Sequence, residues 1–213
     1  MPKRFFSAIM PLMIEEKDIE PQAEEYGFKG VIWEIVKMVF WVVVIIVPIR
    51  VFLIQPFFVQ GASMEPNFED KEYLIVNELG YKTTSISNIF TVKPFKELRR
   101  GDVVVFRYPK NPSIFYIKRI VGLPGEKIEI SNDKVKIFNS ENPNGFVLDE
   151  GKYLSASVMT SGEINMNLNN EYFVMGDNRG ASSDSRSWGP VPEEDVMGRV
   201  VLRAWPVSKA SLF

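Results

Sequence analysis

The spacing of apolar residues along this 213-residue chain changes once, near residue 50. Before that point the longest apolar stretch runs from Val31 to Ile49, and its only charged residues are Glu34 and Lys37. A stretch of about 19 residues is close to the length of a membrane-spanning helix. The pattern therefore predicts a transmembrane helix over residues 31–50. The alternative interpretation is a helix or strand that is buried in a protein core.

Of the basic residues that flank this stretch, most lie on its N-terminal side. After Arg50 the next one is Lys71, whereas five precede or open the stretch: Lys3, Arg4, Lys17, Lys29 and Lys37. Because basic residues that flank a span stay in the cytoplasm, residues 1–30 are predicted to be a cytoplasmic N-terminal tail. The protein is then expected in the inner (cytoplasmic) membrane as a single-pass protein, with the rest of the chain on the extracytoplasmic side. A cleaved signal peptide is the alternative for the first residues, but no small-residue cleavage site follows them.

Beyond Arg50 short apolar runs alternate with turn residues, which is typical of β-strands. The predicted strands cover residues 51–59, 73–76, 103–108, 115–121, 127–130, 135–138, 172–175 and 200–205. No comparable amphipathic helix pattern occurs after residue 60. Residues 51–213 are therefore predicted to form a β-rich domain, built as a barrel or as paired sheets. Residues 77–98 are expected to be irregular, and residues 139–170 to form a surface excursion with one hairpin.

The composition excludes several kinds of catalytic site. The chain contains no histidine and no cysteine, so a Ser-His-Asp triad, a cysteine nucleophile and a metal site with His or Cys ligands are impossible. A disulfide scaffold is excluded for the same reason. The formal net charge of −2 lacks the basic signature of nucleic-acid binding. An activated hydroxyl in this chain would need a lysine, a carboxylate or a tyrosine as its base.

Lys118 is the best-placed candidate for that base. Strand alternation puts Lys118 on the same face as Tyr116 and Ile120, and puts Arg119 on the opposite face. Burial lowers the pKa of a lysine, which must fall from about 10.4 to about 7 or 8 for the amine to act as a base near neutral pH. From the strand alone, a lysine that extends outward into solvent remains the alternative.

Two polar segments are candidates for the remaining groups. Ser63 lies within Gly-Ala-Ser-Met-Glu-Pro at residues 61–66, where the glycine and the proline define a turn. Residues 176–189 combine Asp, Asn, Arg and Ser side chains with three glycines. Taken alone, the first segment is also what an ordinary turn contains, and the second is also typical of a polar loop held by its own hydrogen bonds.

Four segments, in this order, resemble the sequence boxes of the type I signal peptidase (leader peptidase) family. Residues 61–66 are similar to its nucleophile box, residues 100–106 to a structural strand, residues 118–126 to its lysine box and residues 176–189 to its last box. The likeness extends roughly over residues 31–206. It implies a mainly β catalytic domain, a β-sheet or barrel, that follows one N-terminal transmembrane helix. It also implies a membrane-bound serine endopeptidase that cleaves N-terminal signal peptides from exported preproteins after Ala-X-Ala-like sites.

The resemblance also implies roles for individual residues. Ser63 would be the nucleophile and Lys118 the general base of a Ser-Lys dyad that works through an acyl-enzyme, without a metal or another cofactor. The supporting residues would be Ser182, which orients the lysine amine, and the ion pairs of Asp177 with Arg119 and of Asp184 with Arg186. Small substrate pockets would be lined by Phe57, Val59, Met64, Phe68, Tyr116 and Ile117. The implied partners are preprotein signal peptides and the lipid bilayer, and association with the export machinery is a further expectation.

Two positions depart from the family pattern. Gly61 stands two residues before Ser63, where some members have a hydroxyl residue that donates to the oxyanion, so the oxyanion would depend on the Ser63 amide and another donor. Asn67 stands where a threonine is common and is expected to change the hydrogen bonds of the turn. Two other functions stay open from the sequence: a self-cleaving Ser-Lys peptidase like the stress-response repressors, and a membrane-tethered domain that binds exported proteins without cutting them.

Overall fold

A computed structural model describes residues 28–52, 54–81, 84–86, 90–92 and 94–213 of the chain. All but the last three residues of the predicted cytoplasmic tail, residues 1–30, lie outside this described part. The chain divides into two compact units, with the boundary between Val43 and Val44.

The first helix, α1, spans Phe28–Phe52. It forms where the apolar stretch predicted a helix, and begins three residues before the predicted bounds and ends two residues after them. Its side chains from Val31 to Ile46 are all exposed, and Lys37 donates a 2.7 Å hydrogen bond to Glu34 one turn away. Among the described residues, no helix combines the length and the apolar character that crossing a membrane requires.

The rest of the described chain is mainly β, as predicted. The strands in chain order are β1 (Ile54–Phe58), β2 (Tyr73–Asn77), β3 (Thr84–Ile86), β4 (Phe90–Val92), β5 (Val103–Tyr108), β6 (Asn111–Gly122), β7 (Lys127–Ser131), β8 (Lys134–Phe138), β9 (Phe146–Val147), β10 (Ile164–Asn167), β11 (Glu171–Met175), β12 (Val191–Pro192), β13 (Val196–Trp205) and β14 (Ser211–Leu212). A short helix α2 spans Ser185–Trp188, and single 3-10 turns span Glu193–Asp195 and Val207–Lys209.

The strands form paired sheets. In the described residues, the largest sheet has eight strands in the order β1-β2-β13-β5-β6-β11-β12, with β14 paired to β13. A second sheet has the order β10-β7-β8-β9, and β3 pairs with β4 in a separate hairpin. Neighbouring strands are antiparallel throughout these pairings.

In the part of the chain that the structure describes, strand alternation divides the buried apolar side chains among three clusters. Val103 and Val105 of β5 belong to one cluster, and Val104 and Phe106 to a second, so β5 is buried on both faces. The third cluster lies between the second sheet and β11 and includes Ile128, Ile137 and Phe173. Strand β6 contacts all three, through its residues Ile117, Ile120 and Val121.

Several local predictions were wrong. The predicted strand over residues 51–59 spans only Ile54–Phe58, because Val51 and Phe52 belong to the end of α1. The excursion over residues 139–170 contains no hairpin of its own, because β9 pairs with β8 and β10 pairs with β7. The segment 77–98, expected to be irregular, contains the β3–β4 hairpin. The one-turn helix α2 lies where no helix was expected, and the side chain of Asp184 caps it by accepting from the amide of Arg186.

Candidate active site

Ser63 and Lys118 lie in contact, although 55 residues separate them in the chain. The Lys118 Nζ and the Ser63 Oγ are 2.6 Å apart. Lys118 projects from the middle of β6 and is only 4% exposed, whereas Ser63 is half-buried in the turn that follows β1. The strand and the turn therefore bring a hydroxyl and an amine to hydrogen-bonding distance beside solvent.

The surroundings of the Lys118 amine favour its neutral form. Burial lowers the pKa of Lys118 from 10.5 to about 8, while the charges of Asp184 and Asp177 act in the opposite direction. The amine also bonds to the carbonyl oxygen of Ile117 at 2.9 Å and lies 5.5 Å from the centre of the Tyr116 ring. Because burial dominates, this amine loses its proton at a lower pH than a lysine in water does.

The turn that carries Ser63 is fixed by backbone hydrogen bonds. Gly61 has a φ of +90° and its amide donates to Asp70 at 2.8 Å. The amide of Phe68 donates to the carbonyl of Met64 at 2.9 Å. In the described part of the chain, the amide N–H of Ser63 has no hydrogen-bond partner, so it can donate to a substrate oxygen.

The loop that follows β11 packs directly on this turn. The backbone N–H of Asn178 donates to the carbonyl of Ser63 at 3.0 Å, and its side chain donates to the carbonyl of Ala62 at 3.1 Å. A Cβ atom at Gly176 would lie 2.4 Å from the Ser63 carbonyl oxygen and 2.2 Å from the Ser182 Oγ, so the approach requires glycine. The sequence placed Asn178 in the polar loop without assigning it a role.

Both ion pairs implied by the resemblance are formed. Arg119 donates to Asp177 through two nitrogens, at 2.7 and 2.6 Å, and also to the carbonyl of Gly101 at 2.8 Å. Arg186 donates to both carboxylate oxygens of Asp184 at 2.9 Å. Burial opposes the charged form of Asp184, but the bonds and charge of Arg186 outweigh it and hold the pKa of Asp184 below its usual value. These pairs hold the loop to β6 and to α2.

Ser182 lies near the Ser63 turn and, among the described residues, forms no hydrogen bond with the Lys118 amine. Its hydroxyl is buried, and within the described residues it has no hydrogen bond of good geometry. It is close enough to Asp184 to help lower the pKa of that carboxyl. The implied hydrogen bond from Ser182 to Lys118 is therefore not formed, because the Lys118 amine is directed to Ser63 and to the Ile117 carbonyl.

A cleft of about 650 Å³ opens beside Ser63 and Lys118. Of the six predicted pocket residues, four line it: Phe57, Val59, Tyr116 and Ile117. Met64 and Phe68 do not; they are 0% and 1% exposed and belong to the first apolar cluster, because their turn directs them into the core. Phe115 also lines the cleft but was not among the predicted pocket residues. The centre of its ring lies 5.6 Å from the centre of the Phe57 ring.

Two strand edges face the cleft. In the described residues β1 pairs only with β2, which leaves its other edge unpaired. Among the described strands, residues 112–118 of β6 are also unpaired on the side away from β5, because β11 begins its pairing at Arg119. Both edges belong to strands that contribute lining residues. The described part of the chain contains no group of three or more acidic side chains that could hold a metal ion.

Comparison with known proteins places the chain in a family. Residues 32–205 match the family model described as signal peptidase, peptidase S26. Signal peptidase I of Pseudomonas aeruginosa is 32% identical over 94% of this chain and 80% of its own length. Signal peptidase IB of Staphylococcus aureus is 32% identical over 74% of this chain and 81% of its own length. A crystal structure of a signal peptidase I from Enterococcus faecalis has 30% identity and a TM-score of 0.40, and the match covers 49% of this chain and 97% of that one.

The family match spans both the turn of Ser63 and the strand of Lys118, and the two curated relatives each align over more than two thirds of the chain. The chain therefore belongs to the signal peptidase family, peptidase S26, and is a hydrolase of the peptidase class.

Proposed function

We propose that the protein cleaves N-terminal signal peptides from exported preproteins, with Ser63 as the nucleophile and Lys118 as the general base. The observation that carries this proposal is the 2.6 Å contact between the Ser63 Oγ and an amine whose pKa burial lowers to about 8. The chain contains no histidine that could act as the base in place of this lysine.

The reaction proceeds in two halves. The neutral Lys118 amine accepts the Ser63 proton as the Oγ attacks the carbonyl carbon of the scissile peptide bond. The resulting ammonium donates that proton to the leaving nitrogen, the C–N bond breaks, and the signal peptide remains as an ester on Ser63. Lys118 then takes a proton from water, the hydroxide attacks the ester, and the Ser63 Oγ leaves and regains a proton. The Ser63 amide donates to the oxyanion in both halves.

The substrate binds as an extended segment between the two unpaired strand edges. Backbone hydrogen bonds to β1 and to residues 112–118 of β6 supply affinity, as in other cases of strand addition. The large rings of Phe57, Phe115 and Tyr116 occupy much of the cleft wall. They leave room for small side chains, which supports a preference for Ala-X-Ala-like sites.

Attachment to the lipid bilayer is part of the proposal. The exposed apolar side chains of α1 from Val31 to Ile46 support it, as do Phe58, Ile114 and Phe115 at the cleft mouth, which are 42–44% exposed. Single-pass anchoring in the cytoplasmic membrane, with residues 51–213 as an extracytoplasmic catalytic domain, is the arrangement we propose from the basic residues that precede Arg50. Association with the export machinery stays a prediction.

The test uses the full chain in detergent, incubated with a preprotein that carries an Ala-X-Ala site, with mass analysis of both proteins. We expect a cut directly after the second alanine. Ser63→Ala and Lys118→Met should each lower the rate about 10⁴-fold or more while the fold is kept. Ser157→Ala and Lys134→Met, which change exposed residues outside the site, serve as matched controls and should cut at the wild-type rate.

The same experiment separates the alternatives. Wild-type activity in either dyad variant would refute the Ser-Lys mechanism. A chain that cuts only itself would be a self-cleaving peptidase, and a chain that binds the preprotein but yields no product would be a binding domain.

The pH dependence gives a second test. Since Lys118 must be neutral to accept the proton, kcat/KM should rise with pH and level off above the lysine pKa of about 8. Measuring kcat/KM from pH 6 to pH 10 shows this limb, and a rate that is flat or falling between pH 7 and pH 9 would contradict a lysine base.

A further inference from the structure

Asn67, four residues after Ser63, is bonded to groups from two distant parts of the chain. Its side-chain nitrogen donates to the Asp177 carboxylate at 2.9 Å and to the carbonyl oxygen of Tyr153 at 2.7 Å. Both protons of the amide are therefore used, one on the loop that packs on Ser63 and one on the excursion. The backbone carbonyl of Asn67 in turn accepts from Arg203 on β13.

The groups that Asn67 contacts are connected to the strand of the proposed base. Asp177 is 1% exposed and accepts the paired hydrogen bonds of Arg119, the residue after Lys118. The Tyr153 ring lies 4.3 Å from the Arg119 guanidinium carbon. Asn67, Tyr153, Asp177 and Arg119 thus form one contiguous group, which we call the Asn67 cluster.

The Asn67 cluster is also held from the excursion side. The hydroxyl of Tyr153 donates to Glu150 at 2.9 Å, and Glu150 pairs with the buried guanidinium of Arg179. Arg179 in turn donates to the carbonyl of Gly176 at 3.0 Å. The partners of Asn67 are therefore fixed by further bonds, so that an amide bound to them has a defined position.

We propose that Asn67 is a positioning residue that sets the distance between Ser63 and Lys118. This proposal rests on the function proposed above. The amide of Asn67 joins the end of the Ser63 turn to Asp177, and Asp177 is bound to β6 next to Lys118. A side chain with a single donor, such as that of threonine, could satisfy Asp177 or the Tyr153 carbonyl but not both.

A positioning role predicts a loss of turnover rather than of substrate affinity. Asn67 does not line the cleft, whereas a shift of the nucleophile by a fraction of an ångström slows the chemical step. Asn67→Ala removes both donors and should lower kcat about 10-fold, with KM changed less than about 2-fold. Asn67→Asp has the same shape without a donor and faces the Asp177 carboxylate, so it should lose more than the alanine variant. Asn67→Thr keeps one donor and should lie between wild type and Asn67→Ala.

The experiment measures kcat and KM for these three variants of the full chain in detergent with the preprotein, and the melting temperature of each. Asn142→Ala is the matched control, because Asn142 is exposed and its side chain bonds to the neighbouring Asn139. A wild-type kcat in Asn67→Ala, a loss confined to KM, or equal losses in Asn67→Ala and Asn67→Asp would overturn the proposal.

If Asn67→Ala does not fold, the kcat of Asn67→Thr tests the proposal instead. A wild-type kcat in Asn67→Thr would show that two donors are not needed and would overturn the proposal, whereas a lowered kcat would support it. Ser63→Ala and Lys118→Met are run in parallel. Activity in those two variants would refute the proposed function itself, whereas their inactivity beside a wild-type kcat in Asn67→Ala would refute only the role of Asn67.

Discussion

Lys118 and Arg119 are neighbours on β6, yet their cationic groups lie in different environments on the two faces of the strand. On one face, within the described residues, the Lys118 amine has no ion-pair partner and bonds to a hydroxyl and a carbonyl. On the other face Arg119 is paired through two bonds with Asp177. The lysine has its pKa lowered to about 8 by burial. Strand alternation thus lets one segment carry the proposed base and an ion-paired arginine side by side.

The chemistry of the two side chains explains why each residue type suits its face of the strand. A lysine can lose its proton when it is buried, whereas an arginine stays charged in proteins. An arginine binds a carboxylate through two parallel bonds, whereas a lysine binds it as a point charge. Exchanging the two residue types should therefore damage each face in a different way.

The largest effect is expected from this exchange. Lys118→Arg should lower kcat/KM about 10⁴-fold, because a guanidinium cannot act as a base. Arg119→Lys keeps a cation beside Asp177 and should lose only about 10-fold, through a less rigid loop. The measurement is kcat/KM at pH 8.5 for both variants. Similar losses in the two variants would show that the faces are not specialised.

A smaller effect is expected when Arg119 loses the negative charge of Asp177. Asp177→Asn leaves the partly buried Arg119 without a partner charge and should lower the free energy of unfolding by about 3–5 kcal/mol. Because the charge of Asp177 raises the pKa of Lys118, its removal should also move the rising limb of kcat/KM to lower pH. Denaturant unfolding and a pH profile measure the two effects.

The control for this variant is Asp149→Asn, since Asp149 is exposed and accepts from the nearby Gly151 amide. A limb that moves to higher pH in Asp177→Asn would contradict the electrostatic argument, and a stability equal to that of the control would show that the pair contributes little to folding.

The smallest effect is expected at Ser182. Since its hydroxyl forms no hydrogen bond with Lys118 in the described structure, Ser182→Ala should lower kcat by less than about 3-fold. Steady-state kinetics with the preprotein checks this, with Ser157→Ala as the control. A loss of 100-fold or more would show that Ser182 orients the amine during the reaction, as the family resemblance implies.

The sequence predicts those parts of the fold in which burial alone determines the pattern of apolar and polar residues. The strand Val103–Tyr108 was predicted with the bounds that it has, because its apolar run lies between clear turns. The start of β6 was missed because Pro112 suggested a turn. That proline is tolerated where the β5–β6 register shifts between Arg107 and Tyr108, since a residue at a bulge does not need to donate a ladder hydrogen bond.

The candidate site, like the fold, could be predicted only in part from the sequence. The sequence predicted Ser63 and Lys118 from their segments, and the two ion pairs from the resemblance. It could not give the contacts that depend on how distant loops meet, such as the approach of Asn178 to the Ser63 carbonyl. It also misassigned Met64 and Phe68 to the substrate pocket, because a turn can direct alternate side chains inward or outward without a change in composition.

The participation of β6 in all three apolar clusters has a consequence for how the site moves. A local fluctuation that exposed residue 118 would have to separate Ile117, Ile120 and Val121 from three packed groups together. Such an opening approaches the free energy of unfolding the whole domain. The stability of the entire sheet therefore holds the amine in its buried position.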